Sequence, residues 1–365
     1  TYVELIDKTN YLNHYYFVSI VSFLLMFVPA NRSFSLDVLL NPSLRRKYVP
    51  AWTINIFKLQ LGLVYFFAGV AKLNPDWLFN AMPLQIWLPA NADLPIVGPL
   101  LEYTASAYIF SWAGAFYDLT IAFFLLWKRT RVLAYLAVIV FHMFTWFLFQ
   151  IGMFPFIMIL CTLIFFSADF HKNIIRFISG FKNYLPFSLP ESKHIEKKGF
   201  QLSKSMNGII SGILIIHFVL QFLVPLRFIL YPGNLFWTEQ GFRFSWRVML
   251  MEKAGHATFH IRNPETGNEW QVRNWDYLTP NQEKEMYTRP DMILQFAHHL
   301  EDEYQKNFGG DVIITAESHV TLNGRRSQPL VDPNVDLTEQ ERGFAHKDWI
   351  LPFNQKQQNW FKNLQ

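Results

Sequence analysis

Residues 51–72 read AWTINIFKLQLGLVYFFAGVAK. The stretch 51–70 is long and apolar enough to cross a bilayer, for which a helix needs about 20 residues. Asn55, Lys58 and Gln60 interrupt only its first half, and Lys72 follows its last apolar turn. That places Lys72 at a water–hydrocarbon boundary, where an ionisable group is either an anchor that snorkels to the surface or a reactive base.

Five further apolar segments, at 12–30, 105–127, 132–149, 153–166 and 209–230, extend the pattern to six spans. Composition agrees. Hydrophobic residues make up 51% of the 365, Phe alone contributes 37, and charged residues are 16% where a soluble domain carries about a quarter. The single cysteine, Cys161, lies inside MFPFIMILCTLIFF (153–166), so no intrachain disulfide forms and a packing role is expected. The net charge of +4 points to no partner, and nothing calls for nucleic acid. The chain starts at Thr1 with neither an initiator Met nor a signal pattern, so further sequence is expected upstream.

Cytoplasmic loops collect Lys and Arg. Here alternate loops do so: Arg32, Arg45, Arg46 and Lys47; then Lys128, Arg129 and Arg131; then Lys172, Arg176, Lys182, Lys193, Lys197, Lys198 and Lys204. Loop 73–104 and the turn at 150–152 carry none. This alternation puts Thr1 and everything after residue 230 on the outer side. The expected fold is therefore a polytopic α-helical membrane bundle (1–230) followed by a small extracytoplasmic α+β domain (231–365).

In that tail HATFHIRN (256–263), EWQVRN (269–274) and DVIITAESHVTL (311–322) read as strands, and Asn323-Gly324 as a tight turn. Met292, Ile293, Phe296, Leu300 and Tyr304 mark a helix over 291–307, with Pro290 at its start. Phe236, Trp237, Phe242, Phe244 and Trp246 suit docking on the membrane surface or the bundle. Pro225 should kink the last span and Arg227 anchor it. Loop 73–104, apolar but broken by Pro83, Pro89, Pro95 and Pro99, reads as an interfacial or re-entrant cover over the outer mouth of the bundle.

Chemistry narrows to few residues. Asn13 and His14 open the first span at its outer end and Lys72 closes the second there, so the topology brings them to one membrane depth. Under a cover that excludes water, a lysine more readily presents a neutral amine. Asp118, His142 and, more weakly, His217 lie inside spans, where ionisable groups face the bundle interior and serve either function or interhelical hydrogen bonding. HHLEDEY (298–304) reads as the solvated face of a helix rather than a metal site. No zincin, phosphate-loop or nucleophile-elbow pattern occurs, and no metal is expected.

The stretches DKTNYLNHYYF, ANRSFSLDVLLN, YFFAGVAKLNPDW, FHMFTWFLFQIGMFPF, FSWRVML and PLVDPNVDL, in that order from Asp7 to Leu337, resemble the vitamin K-dependent γ-glutamyl carboxylases and their bacterial relatives. The resemblance implies a bilayer enzyme that uses reduced vitamin K (a naphthohydroquinone), O2 and CO2. In such an enzyme a lysine after an AGV segment, here Lys72, deprotonates the hydroquinone. Oxygenation then yields a strong base that removes a glutamate γ-proton on a polypeptide substrate, CO2 adds and quinone epoxide forms. It also implies Asn13 and His14 near the reacting groups, and His142, Phe154, Trp246 and Met249 as pocket lining. The location implied is a bacterial inner membrane with the C-terminal domain in the periplasm. Ala71 stands where animal carboxylases carry a second lysine, and one cysteine cannot make their disulfide. Two other readings stay open: a quinone-dependent oxygenase or epoxidase without carboxylation, and a non-enzymatic membrane receptor or assembly factor.

Overall fold

The computed structural model describes residues 2–33, 35–46, 48–149, 151–180, 200 and 202–354. Gln150 and the lysines expected to orient the loops at 47, 182, 193, 197 and 198 lie outside them. Among the described residues, four helices are long and apolar enough to cross a membrane: Trp52–Lys72, Thr104–Leu126, Arg131–Leu148 and the helical run Lys204–Leu230. Two bent pairs, Asn13–Leu25 with Ala30–Leu40 and Phe154–Phe165 with Ala168–Phe177, raise the number to six if each is one span. The expected span over 12–30 is thus shorter than drawn and turns by 62°. Pro29 stands at that turn, ahead of the 3-10 stretch Ala30–Arg32. Pro225 acts as expected, since the α-helix Lys204–Leu223 gives way there to the 3-10 stretch Val224–Leu230.

The chain forms two compact units. One comprises residues 14–70 and 115–222, the other 1–13, 71–114 and 223–365.

The first is helical. Gly62 and Gly69 stand two turns apart on the Trp52–Lys72 helix, and both face the Thr104–Leu126 helix. A Cβ on Gly69 would come within 2.7 Å of Leu119 N and 2.8 Å of its Cγ. Small residues allow this approach of membrane helices. Gly69→Ala is expected to push the two helices apart at a cost of about 1–3 kcal/mol, read as a lower unfolding midpoint in detergent. A polar chain also ties the spans. The His217 ring nitrogen Nε2 donates to Gln60 Oε1 at 2.9 Å, Gln60 Nε2 to Gln221 Oε1 at 3.1 Å, and Gln221 Nε2 to the Tyr16 hydroxyl at 2.9 Å. Gln60 is fully buried. Gln60→Leu is expected to cost about 1 kcal/mol, since hydrogen bonds within a bilayer average less than that each and two are lost, again as a shift in unfolding midpoint.

The second unit contains a four-stranded antiparallel sheet in the order β2-β1-β3-β4, with β1 Lys253–Arg262, β2 Glu269–Gln271, β3 Ile313–Leu322 and β4 Gln328–Pro329. The strand expected over 269–274 stops at Gln271, because Asn274 enters a 3-10 turn and its amide donates to Ala257 O. The Asn323-Gly324 turn forms: both residues have positive φ, and Arg325 N bonds Leu322 O at 3.2 Å. Helix Pro290–Phe308 starts at Pro290 and lays Ile293, Phe296, Ala297 and Leu300 on the sheet, with Phe296 edge-on to Phe259 at 4.9 Å. The aromatics expected to dock on the membrane or bundle find partners inside this unit. Trp237 is fully buried, donates to Leu351 O and packs its ring on Phe353 at 4.9 Å.

Loop 73–104 folds into short helical turns, Pro75–Asn80, Leu84–Trp87, Pro89–Asn91 and Gly98–Leu101, as part of this same unit. Some of its partners are in the C-terminal region: Trp87 Nε1 donates to Glu252 Oε2 at 2.6 Å, and Asp76 binds Asn323 and Arg325.

Candidate active site

Lys72 is the last residue of the Trp52–Lys72 helix and is 6% exposed. A lysine acting as an interface anchor stretches its amine into water, whereas this one is enclosed by protein. Its Nζ lies 5.4 Å from the centre of the Trp77 ring, and Gly114 lies alongside both side chains.

Local sequence fixes Trp77. Asn74 caps the Pro75–Asn80 helix, accepting from Trp77 N at 3.0 Å, and its amide donates back to Ala71 O at 2.9 Å. Three side chains of the Thr104–Leu126 helix then satisfy the carbonyls of that short helix. The Ser111 hydroxyl donates to Trp77 O, Trp112 Nε1 to Leu78 O at 3.0 Å, and the Tyr108 hydroxyl to Phe79 O at 2.8 Å. The indole Nε1 of Trp77 donates to Ser111 O at 2.8 Å.

Asp76, beside Trp77, is 8% exposed. Its carboxylate accepts two hydrogen bonds from the Arg325 guanidinium, one of them 2.8 Å to Oδ2, and a third from Asn323 Nδ2 at 2.9 Å. Burial alone would raise this carboxyl, but the bonds and charge of Arg325, with Asn323, outweigh it and hold the group below its usual value of 3.8.

Asn13 opens the Asn13–Leu25 helix, and its amide donates to Arg247 O at 3.1 Å. The Tyr11 hydroxyl accepts from Phe244 N at 2.7 Å and donates to Asn13 Oδ1 at 3.4 Å, while its ring meets that of Phe244 edge-on at 5.0 Å. The NYLN and FSWRVM segments are therefore in contact. The second is unusual backbone, with Phe244, Trp246 and Met249 all at φ between 54° and 59°. Non-glycine residues adopt that region at a cost of about 1–2 kcal/mol each, and such conformations cluster at functional sites. Trp246 is buried and Met249 half-buried. Arg247 lies 4.4 Å from the Phe228 ring; its burial, and then the nearby charge of Arg227, lower its pKa to about 10.

The helical unit holds the remaining candidates. Phe154 lies 6.2 Å from His14 on one side and 6.2 Å from His142 on the other. His142 is 2% exposed and meets Tyr65 and Tyr117 edge-on, each at 6.2 Å. Its Nδ1 is 2.9 Å from Val138 O, and a carbonyl only accepts, so Nδ1 carries the hydrogen. Tyr65 is buried, with its hydroxyl 3.4 Å from Thr162 Oγ1, and Asp118 is 5% exposed. His14, His142 and Phe154 thus belong to one aromatic cluster, while Asn13 and Lys72 belong to the other unit with their own neighbours. His298, on the expected solvated face, is within 3.1 Å of Leu337 O. Sequence reasoning missed Tyr65, Tyr117, Trp77, Asp76 and Arg325. Asp76 and Trp77 stand inside the quoted KLNPDW segment, but aromatic residues are so common here that Tyr65 and Tyr117 carry no signal.

The family model of the HTTM domain matches residues 1–170, and that of the vitamin K-dependent gamma-carboxylase lumenal domain matches residues 206–356. No solved structure matches the chain. The apolar helices and the lumenal-domain match make this an integral membrane protein with a non-cytoplasmic C-terminal domain. The two matches succeed each other along most of the sequence, and the chain belongs to the vitamin K-dependent gamma-carboxylase family.

Proposed function

We propose that the chain is an enzyme of the gamma-glutamyl carboxylase type, acting on glutamate in a polypeptide and located in a bacterial inner membrane with residues 231–365 in the periplasm. The observation that carries this reading is Lys72, an amine enclosed by protein at the end of a membrane helix and set against Trp77. When bound, the reduced naphthoquinone, with O2, supplies the strong base that takes the glutamate γ-proton before CO2 adds, and it leaves as the epoxide.

Lys72 Nζ is the initiating base, taking the first proton. The Asn74 cap and the Ser111 bonds hold Trp77 in place, and Trp77 in turn confines the amine. The cluster of His14, His142, Phe154, Tyr65 and Tyr117 suits a flat, lipophilic ring system: its members meet edge-on or tilted, they are largely withdrawn from water, and Nε2 of His142 offers one polar contact. These residues would hold the quinone. Exclusion of water protects strongly basic species from quenching. Asn13 positions the FSWRVM segment through the Arg247 carbonyl, Trp246 and Met249 line the polypeptide's approach, and Asp118 is a bundle-interior carboxylate serving the cluster.

The test is an assay of the purified full chain with reduced vitamin K, labelled bicarbonate and a glutamate peptide. Label in the peptide together with epoxide is the expected result. Epoxide without label would favour an oxygenase, and neither product would favour a receptor.

A further inference from the structure

A cavity of about 720 Å³ lies beside the end of the last membrane span, wholly within the unit that holds the C-terminal domain. Val224 and Arg227 of the 3-10 stretch Val224–Leu230, and Tyr231 just after it, form one wall. The first turn of helix Pro290–Phe308 and the loop carrying Arg342 and Lys347 form others. The Tyr231 hydroxyl donates to Phe344 O at 2.8 Å, fastening that loop to the span's end.

The charge of the lining is lopsided. Lys8, Arg227, Arg243, Arg342 and Lys347 face two carboxylates among the described residues, Glu239 and Asp291. Glu239 is already matched by Lys253, outside the lining, at 2.8 Å, and Asp291 takes Lys8 at 3.3 Å and Arg243 at 3.2 Å. The five cations of the lining outnumber its two carboxylates, and Arg342 and Lys347 on the loop add to the positive side. Between these cations the walls are mostly apolar, and the neighbouring Ile229 and Leu230 are 68% and 80% exposed at the end of the span. A site with cations at the membrane boundary and an apolar path alongside matches an amphiphile with an anionic head.

We infer that this cavity binds the phosphate headgroup of an anionic phospholipid whose acyl chains run along Ile229 and Leu230. No part of the inference rests on the chemistry assigned to Lys72.

Native mass spectrometry of the full chain in detergent tests it, with phosphatidylglycerol or phosphatidylcholine added. One tightly retained phosphatidylglycerol is expected, held at least tenfold better than phosphatidylcholine, and Arg342→Gln with Lys347→Gln should lower its retention about thirtyfold, as loss of roughly 1 kcal/mol per cation implies. Arg342 is exposed and Lys347 half-buried with its amine on Glu341 O, so the unfolding midpoint without lipid should move little. Arg243→Gln, which also loses the Asp291 pair, is a second variant, expected to lower retention about fivefold. Equal retention of phosphatidylcholine, or undiminished phosphatidylglycerol in the double variant, would overturn the proposal. Protection from heat by inorganic phosphate equal to that by phosphatidylglycerol would overturn the lipid assignment, as would capture of an acidic peptide in its place.

Discussion

Lys72→Ala is expected to lower epoxide formation and peptide labelling together by about 10²–10⁴-fold, the usual contribution of a positioned acid or base. The two products should fall in parallel, because the proton taken by Lys72 precedes the step that separates them. Lys72→Arg sharpens the test. A guanidinium keeps the positive charge and can still stack on Trp77, but it does not give up its proton and so cannot serve as a base. If the lysine acts only as a charge, the arginine variant should retain activity; if it is the base, that variant should be as inactive as alanine. Lys58→Ala, in the same helix, serves as the control that leaves activity in place. Full activity in Lys72→Arg would end the proposed role.

Arg325→Ala is expected to destabilise the unit that contains loop 73–104 by roughly 3–5 kcal/mol, the penalty for leaving one member of a buried ion pair uncompensated. The side chains of Asp76 and Arg325 are only 11% and 10% exposed, so solvent offers the orphaned carboxylate little relief. The measurement is the denaturant midpoint in detergent, followed by Trp fluorescence. Asp76→Leu combined with Arg325→Met should recover most of the loss, since well-packed apolar replacements of a buried pair are often neutral. The pair also sets a pH dependence. The folded pKa of Asp76 is depressed, so its stabilisation is fully present above the unfolded value of 3.8 and is lost as pH falls through the lower folded value. The wild type should therefore lose stability below about pH 4 in a way the apolar double variant does not. Identical acid profiles would show that Asp76 is not the group responsible.

Much of the fold was legible because bilayer physics imposes few solutions. Long apolar runs had to be helices, and Pro225 and Pro290 acted locally, so their effects could be read without tertiary information. The strands were legible by alternation: Ala257, Phe259 and Ile261 on one strand, and Ile314, Ala316, Ser318, Val320 and Leu322 on its partner, are the buried positions. The limits arose from contacts distant in sequence. Asn323 was readable as a turn residue, but not as a donor to a carboxylate 247 positions earlier. Trp237 reads as a membrane-facing aromatic until its partner, Leu351, is known. Within the candidate site, Lys72, His14 and His142 were visible because an ionisable group in an apolar run is conspicuous. Tyr65 and Tyr117 were camouflaged by a sequence that contains 37 Phe and 15 Tyr.

The bonds from Tyr11 to Phe244 and from Asn13 to Arg247 span more than 230 residues, and Lys8 and Asp7 add ties to Asp291 and Gln282. A ribosome must complete the last span before it delivers these partners, so residues 7–13 must wait until the C-terminal region has been made. Splitting the gene between the two matched regions would separate halves of a single folded unit.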